Sequence, residues 1–160
     1  MTNDEGMTKS EEACEDSLWL DGEMSLVCEE PETMPVYDLE ERTARFGETV
    51  IDFAKTIPRD PVTDRIISQL IGAATSVGAN YIEADDLVSK REFLKCIGIC
   101  KKEARETKHF LRMAVRAVAE LKAEARKLWM EARELHLIFA KIWRTGKQQE
   151  QGKRRNPNDE

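Results

Sequence analysis

The stretch SKREFLKCIGICKKEARETKHFLRMAVRAV, residues 89–118, decides the fold of this chain. Its apolar and small residues recur at alternating intervals of three and four, which is the period of one face of an α-helix. The opening Ser89-Lys-Arg-Glu92 has the pattern of a capping box, in which both side chains accept bonds from backbone N–H groups of the first turn. The stretch therefore predicts a long amphipathic helix that starts at Ser89. Its predicted core stripe is Phe93, Ile97, Cys100, Ala104, Thr107, Leu111, Ala114 and Val118.

Three further segments show the same helical period. Pro58 and Pro61 separate the first from the second, because proline disrupts a helix interior. Asp60 is placed as the N-cap of the second helix, with Pro61 at its first position. That helix is expected to end near Asp85-Asp86, because carboxylates oppose the negative C-terminus of a helix. Four helical segments with short joins predict an all-α fold, an antiparallel up-down-up-down four-helix bundle. The other predicted core stripes are Leu39, Thr43, Phe46, Val50, Phe53 and Ile57; Ile67, Leu70, Ala74, Val77, Tyr81 and Ala84; and Leu121, Ala125, Leu128, Ala132, Leu135, Phe139 and Ile142.

Charge is distributed unevenly along the chain. Residues 1–34 contain eleven acidic residues and one basic residue, Lys9, so their net charge is −10, whereas that of the whole chain is −6. The remaining residues are therefore mildly basic. We expect residues 1–34 to form a disordered acidic tail, residues 35–146 the bundle, and residues 147–160 a disordered polar tail. The acidic tail is either a passive solubilising segment or one whose Leu18-Trp19-Leu20 patch docks on a partner.

Two neighbouring motifs resemble those of a known bacterial family. They are Thr75-Ser-Val-Gly-Ala-Asn-Tyr-Ile-Glu-Ala84 and Ser89-Lys-Arg-Glu-Phe-Leu-Lys-Cys-Ile-Gly-Ile-Cys-Lys-Lys-Glu-Ala-Arg-Glu-Thr107. With Tyr37-Asp-Leu-Glu-Glu-Arg-Thr43 they look like the four-helix-bundle proteins found in intervening sequences of 23S ribosomal RNA genes, over roughly residues 37–146. The accessory variability determinants of diversity-generating retroelements are related to that family. The resemblance implies a homopentameric barrel without known catalysis, and nucleic-acid binding only in the retroelement branch. Gly72 and Ile82 depart from the family pattern, which often has arginine there.

The third helix contains a series of basic residues, here called the basic row, at spacings of three, four and seven. These spacings place them along one helix face, about 37 Å long at 1.5 Å per residue. Nucleic-acid phosphates would bind such a face with little sequence preference and strong salt dependence. The alternatives are a solvated face paired with Glu92, Glu103 and Glu106, or a face that binds an acidic protein. The basic row consists of Arg91, Lys95, Lys102, Arg105, His109, Arg112 and Arg116.

The fourth helix contains more apolar residues than one core stripe needs. Trp129, His136 and Trp143 repeat every seven residues along one edge, and Met130 and Leu137 lie beside them. A second apolar stripe requires a second cover, and another copy of the chain is the simplest one. These five residues therefore predict an oligomer interface. A closed ring follows if the contacting surfaces differ.

Several small and polar residues are predicted to serve helix packing and register. Gly78 and Ala79 lie mid-helix, where glycine is unfavourable unless another backbone approaches closely. Asn80 and Glu83 flank Tyr81 on the same helix, and Glu103 stands on the next. We expect Glu83 to pair with a base of the third helix and so fix the helix register.

No catalytic or cofactor site is predicted. The two histidines, His109 and His136, have no nucleophile at helical spacing, and Cys96 and Cys100 lack the second ligand pair of a convincing zinc site. No glycine-rich phosphate loop, secretory signal or membrane-spanning run is seen, so we expect a cytoplasmic protein with reduced cysteines and no membrane partner. The sequence thus predicts a non-enzymatic, homo-oligomeric binding protein whose ligand is RNA, DNA or an acidic protein. In the last case it would be a protein-interaction adaptor.

Overall fold

The computed structural model describes residues 39–155, with side chains described as far as residue 152. Its four α-helices are α1 (Leu39–Thr56), α2 (Pro61–Asp85), α3 (Lys90–Ala117) and α4 (Lys122–Arg155). A short 3-10 helix, Ala119–Leu121, connects α3 to α4. The described part of the chain contains no strand, so the all-helical prediction is confirmed there.

The ends of α2 follow from local sequence. The Asp60 carboxylate accepts hydrogen bonds from the backbone N–H groups of Val62 and Thr63, and the Thr63 hydroxyl accepts one from the Asp60 N–H. These bonds to the charged form lower the pKa of Asp60. The helix ends at Asp85, as the adjacent carboxylates predict.

The start of α3 was predicted correctly, but its cap was not. Ser89 is the N-cap residue of α3 and has extended backbone angles, yet its side chain makes no capping hydrogen bond. The capping box expected from Ser89 and Glu92 is therefore absent. Residue Glu92 is instead exposed.

The four helices enclose one core. Its fully buried residues include Val50 of α1, Leu70 and Val77 of α2, Ile97 and Leu111 of α3, and Leu135 and Phe139 of α4. Six of the predicted core positions are only partly buried: Leu39, Tyr81, Phe93, Val118, Leu121 and Ile142. Next to Phe93, Leu94 is buried instead. Phe139 also contacts Tyr81 at a ring-centroid distance of 5.8 Å. Most residues of the core stripes predicted from the sequence thus lie on the helix faces that pack against one another.

Small residues allow close contact between neighbouring helices. A Cβ atom at Gly78 of α2 would lie 3.4 Å from the Thr43 hydroxyl oxygen of α1, and one at Gly47 would lie 3.7 Å from Thr75 Cα. A Cβ atom at Gly146 of α4 would collide with the Leu94 side chain of α3.

The C-terminal boundary of the bundle differs from the prediction, and the predicted N-terminal tail lies outside the described residues. Helix α4 continues to Arg155, beyond the end of the bundle expected at residue 146, so the first part of the predicted polar tail is helical. The acidic tail, with Leu18-Trp19-Leu20 and Cys14 and Cys28, lies outside the described residues.

Candidate functional site

All seven side chains of the basic row are exposed on α3. At 100° per residue they fall within a sector of about 100° around the helix axis. The opposite side of α3 contains Ile97, Cys100 and Ala104 and is buried in the core. The amphipathic pattern therefore directs these basic side chains outward.

Most of the basic row is unpaired within the described residues. Only Lys102 forms ion pairs, with Glu106 at 3.3 Å and Glu103 at 3.9 Å. Burial, followed by the neighbouring Glu106, raises the pKa of Glu103 above its ordinary value. In the alternative of a solvated face, Glu92, Glu103 and Glu106 would pair with the row. Among the described residues, only Glu103 and Glu106 do so, and only with Lys102.

Gly98 occupies the one position that the spacing of the basic row skips. It lies one turn from both Lys95 and Lys102, near the middle of the same sector. A Cβ atom at Gly98 would lie 3.4 Å from Trp143 Nε1 and 3.6 Å from Trp143 Cδ1. The indole of α4 therefore rests against α3 at this gap and remains half-buried.

Two further lysines surround that indole. Lys101 Nζ lies 4.5 Å from the centroid of the Trp143 ring, and Lys147 Nζ lies 5.8 Å from it. Lys147 also pairs with Glu150 at 3.4 Å. Cations over an aromatic face interact with its π-electrons. Gly98, Lys101 and Lys147 were not assigned from the sequence, although the missing position in the basic row was a visible signal for Gly98.

Trp129, His136 and Trp143 form one edge of α4, here called the heptad edge. This edge faces α3 of the same chain, which corrects the expectation that it is uncovered. Trp129 and His136 are each 4% exposed, and Trp129 lies 5.3 Å from the buried Lys108 ammonium of α3. Trp143 contacts Gly98 and Lys101 on the same helix. The large apolar side chains exposed on the described part of α4 are those of Met130 and Leu137, at 48% and 45%. They lie on a different side of the helix from the heptad edge.

The predicted packing residues occupy different environments. Gly78 is buried against α1, as its small size suggested, whereas Ala79 is exposed. The Asn80 amide donates a hydrogen bond to the Ser76 carbonyl within α2. Glu83 is exposed and forms no ion pair with α3 among the described residues, so the expected pairing is wrong.

Cys96 and Cys100 are free and buried. The Cys100 thiol donates a weak hydrogen bond to the Val77 carbonyl at 3.5 Å. Burial raises the pKa of the Cys96 thiol and raises that of Cys100 to about 12, so both are protonated at neutral pH. The described residues contain no group of three histidine, cysteine, aspartate or glutamate side chains arranged to bind a metal.

Together, fold and site define an all-helical protein that has a basic face on one helix. The family model of the 23S rRNA-intervening sequence protein matches residues 37–141, and the chain belongs to this family. It is also similar to a crystal structure of a protein of unknown function from the S23 ribosomal protein family of Bacteroides thetaiotaomicron. That similarity has a TM-score of 0.57 and 21% identity, and it covers 65% of this chain and 96% of the other. A comparison with curated proteins finds no match. None of the described helices is long and apolar enough to cross a membrane.

Proposed function

We propose that the chain is a non-enzymatic scaffold that assembles with copies of itself and presents the basic row to nucleic acid, RNA or DNA. The proposal rests on the exposure of the basic row and on its lack of internal ion pairs. All seven side chains are exposed, and six of them have no ion pair among the described residues. The unpaired lysine and arginine side chains along this face can each contact a phosphate without first breaking an internal ion pair.

We infer that the helices run antiparallel and that the chain forms a homopentamer. The antiparallel order is supported by contacts between α3 and α4, since positions 90, 94 and 98 meet positions 149, 146 and 143 in reverse order. The number five comes from the family resemblance. A contact between copies is supported by Met130 and Leu137, which are exposed one heptad apart on α4.

A salt titration tests the nucleic-acid proposal. Labelled RNA and duplex DNA of equal length are titrated with the protein between about 50 and 200 mM salt. The logarithm of the binding constant is expected to fall linearly with the logarithm of salt concentration. The variant Arg105→Gln/Arg112→Gln/Arg116→Gln should lower this slope by about 2–3, because it removes three phosphate contacts.

A matched control removes three cations that are already paired. Arg45, Lys55 and Arg59 pair with Glu41, Asp52 and Asp64 at 2.7, 3.0 and 2.8 Å. Replacing all three by glutamine changes the net charge by the same amount, yet it should change the slope by less than about 1. Equal losses for both triple variants, or no binding by the natural sequence at about 50 mM salt, would contradict the proposal.

Light scattering tests the assembly. The natural chain should have five times its 18.3 kDa mass, and Met130→Asp/Leu137→Asp should dissociate it. A monomer at micromolar concentration would refute the oligomer.

The second candidate function is a protein-interaction adaptor, which the exposed Met130 and Leu137 favour. Large apolar side chains on a surface are typical of protein contacts. In that case the basic row binds an acidic protein and no salt-dependent binding of RNA or DNA is seen. We place either form in the cytoplasm, on the basis of the free Cys96 and Cys100.

A further inference from the structure

The basic row is interrupted by an aromatic ring. Gly98 lies between Lys95 and Lys102 on the exposed face of α3, and the Trp143 indole of α4 rests on it. Because Trp143 is half-buried, part of the indole remains accessible to solvent. Aromatic rings placed among cations are typical of proteins that bind single-stranded nucleic acid.

We propose that Trp143 stacks on an unpaired base and that the preferred ligand of the basic row is single-stranded nucleic acid. This inference rests on the proposed function and names its ligand class more closely. Bases in a duplex are already stacked on one another, so an indole beside the phosphate path gains a partner only from a splayed base. Single strands provide such bases at every position.

The absence of a side chain at Gly98 creates the space for the ring. A Cβ atom there would lie 3.4 Å from Trp143 Nε1, at the short limit of van der Waals contact. A side chain longer than that of alanine at this position would therefore compete with the indole for space.

Either of the two lysines beside the indole can move away and leave one face of the ring open to a ligand. Lys101 lies at 4.5 Å and Lys147 at 5.8 Å from the ring centroid, and both have long, flexible side chains. A base that stacks on the indole replaces one ammonium group. That ammonium can then move to the phosphate of the same nucleotide. Base stacking and phosphate binding are thereby combined at one position of the row.

Three polyanions distinguish stacking from simple charge attraction. The full-length chain and its Trp143→Leu variant are titrated with a single-stranded RNA 20-mer, the duplex of the same sequence, and heparin, which has no bases. Loss of the ring should weaken single-strand binding about tenfold and change duplex and heparin binding less than twofold. Trp143→Phe keeps an aromatic face and should recover most of the loss.

A fluorescence measurement covers the case in which Trp143→Leu fails to fold. In a Trp19→Phe/Trp129→Phe background Trp143 is the sole tryptophan, and its emission should be quenched by the single strand but not by heparin. Equal loss of affinity for all three polyanions, or unchanged single-strand binding, would overturn the stacking role while leaving the basic face in place. Failure of the natural chain to bind any of the three at about 50 mM salt would overturn the proposed function itself.

Discussion

Helices α1 and α3 both expose cations, but those of α1 are paired with acidic residues, whereas most of those of the basic row on α3 are not. Arg42 of α1 bonds Glu131 and Glu134 of α4, each at 2.6 Å. Arg45 and Lys55 pair with acids one turn away on α1 itself. On α3, Lys102 alone has such partners among the described residues. Arg42 therefore links α1 to α4, and Arg45 and Lys55 are paired within α1, whereas six of the seven side chains of the basic row on α3 have no ion pair among the described residues.

The largest loss of stability is expected where Gly78 of α2 packs against Thr43 of α1. Gly78→Val places a branched side chain against Thr43, whose hydroxyl oxygen lies 3.4 Å from the ideal Cβ position. We expect a loss of about 2 kcal/mol in the free energy of unfolding, measured by urea denaturation. Gly72→Ala on the same helix is the control. No atom lies within 4 Å of its ideal Cβ, so it should stabilise by about 1 kcal/mol. Similar effects at the two positions would show that α1 is not tightly packed on α2.

A smaller loss is expected from the ion pairs between α1 and α4. Arg42→Met keeps the apolar stem but removes the guanidinium, which makes two hydrogen bonds to Glu131 and one to Glu134. Because these groups are partly exposed, we expect a loss of about 1 kcal/mol, and less in 1 M salt, where screening weakens the pairs. A loss that does not depend on salt would mean that Arg42 acts through packing instead.

A gain of stability is expected at Glu103 on α3, and it should depend on pH. Burial raises the pKa of Glu103 in the folded state above its ordinary value of 4.5, so ionisation costs stability once the pH rises above the folded pKa. Below pH 4.5 both the folded and unfolded states are protonated and the cost disappears. Glu103→Gln should therefore raise the melting temperature by about 2 °C at pH 7 and have no effect near pH 3. An equal gain at both pH values would exclude ionisation as the cause.

The smallest effect on stability is expected from the basic row. Arg105→Gln/Arg112→Gln/Arg116→Gln removes three exposed cations that have no ion pair among the described residues. The free energy of unfolding should change by less than about 0.5 kcal/mol. A loss as large as that of Arg42→Met would remove the difference between α1 and α3. Chemical denaturation of both variants in one buffer provides the comparison.

The sequence predicted the helices and their buried faces well, because local chemistry sets both. The N-cap at Asp60 and the end of α2 at Asp85 were read correctly. The predictions failed where a residue had a choice of partners. Ser89 and Glu92 have the pattern of a capping box, but the serine side chain makes no capping bond. Glu83 was expected to find a base on α3 and is exposed instead.

The heptad edge of α4 marks the limit of sequence reasoning about surfaces. A count of apolar residues on α4 showed that Trp129, His136 and Trp143 exceed what a single core stripe needs. Helical spacing, however, gives only the directions of these side chains relative to one another. Which direction meets a neighbouring helix depends on how the four helices rotate against one another. In the structure this edge faces α3, and Met130 and Leu137 face solvent.

By itself, the sequence determined four amphipathic helices, the row of cations on α3 and membership of a family with this fold. These properties are encoded within single segments by periodicity, capping residues and charge. Only the tertiary structure decided that Arg42 is paired, that most of the basic row is not, and that Trp143 lies against Gly98. Such contacts depend on the rotation and spacing of helices that are distant in sequence. Packing of the whole core sets that geometry, and no single segment encodes it.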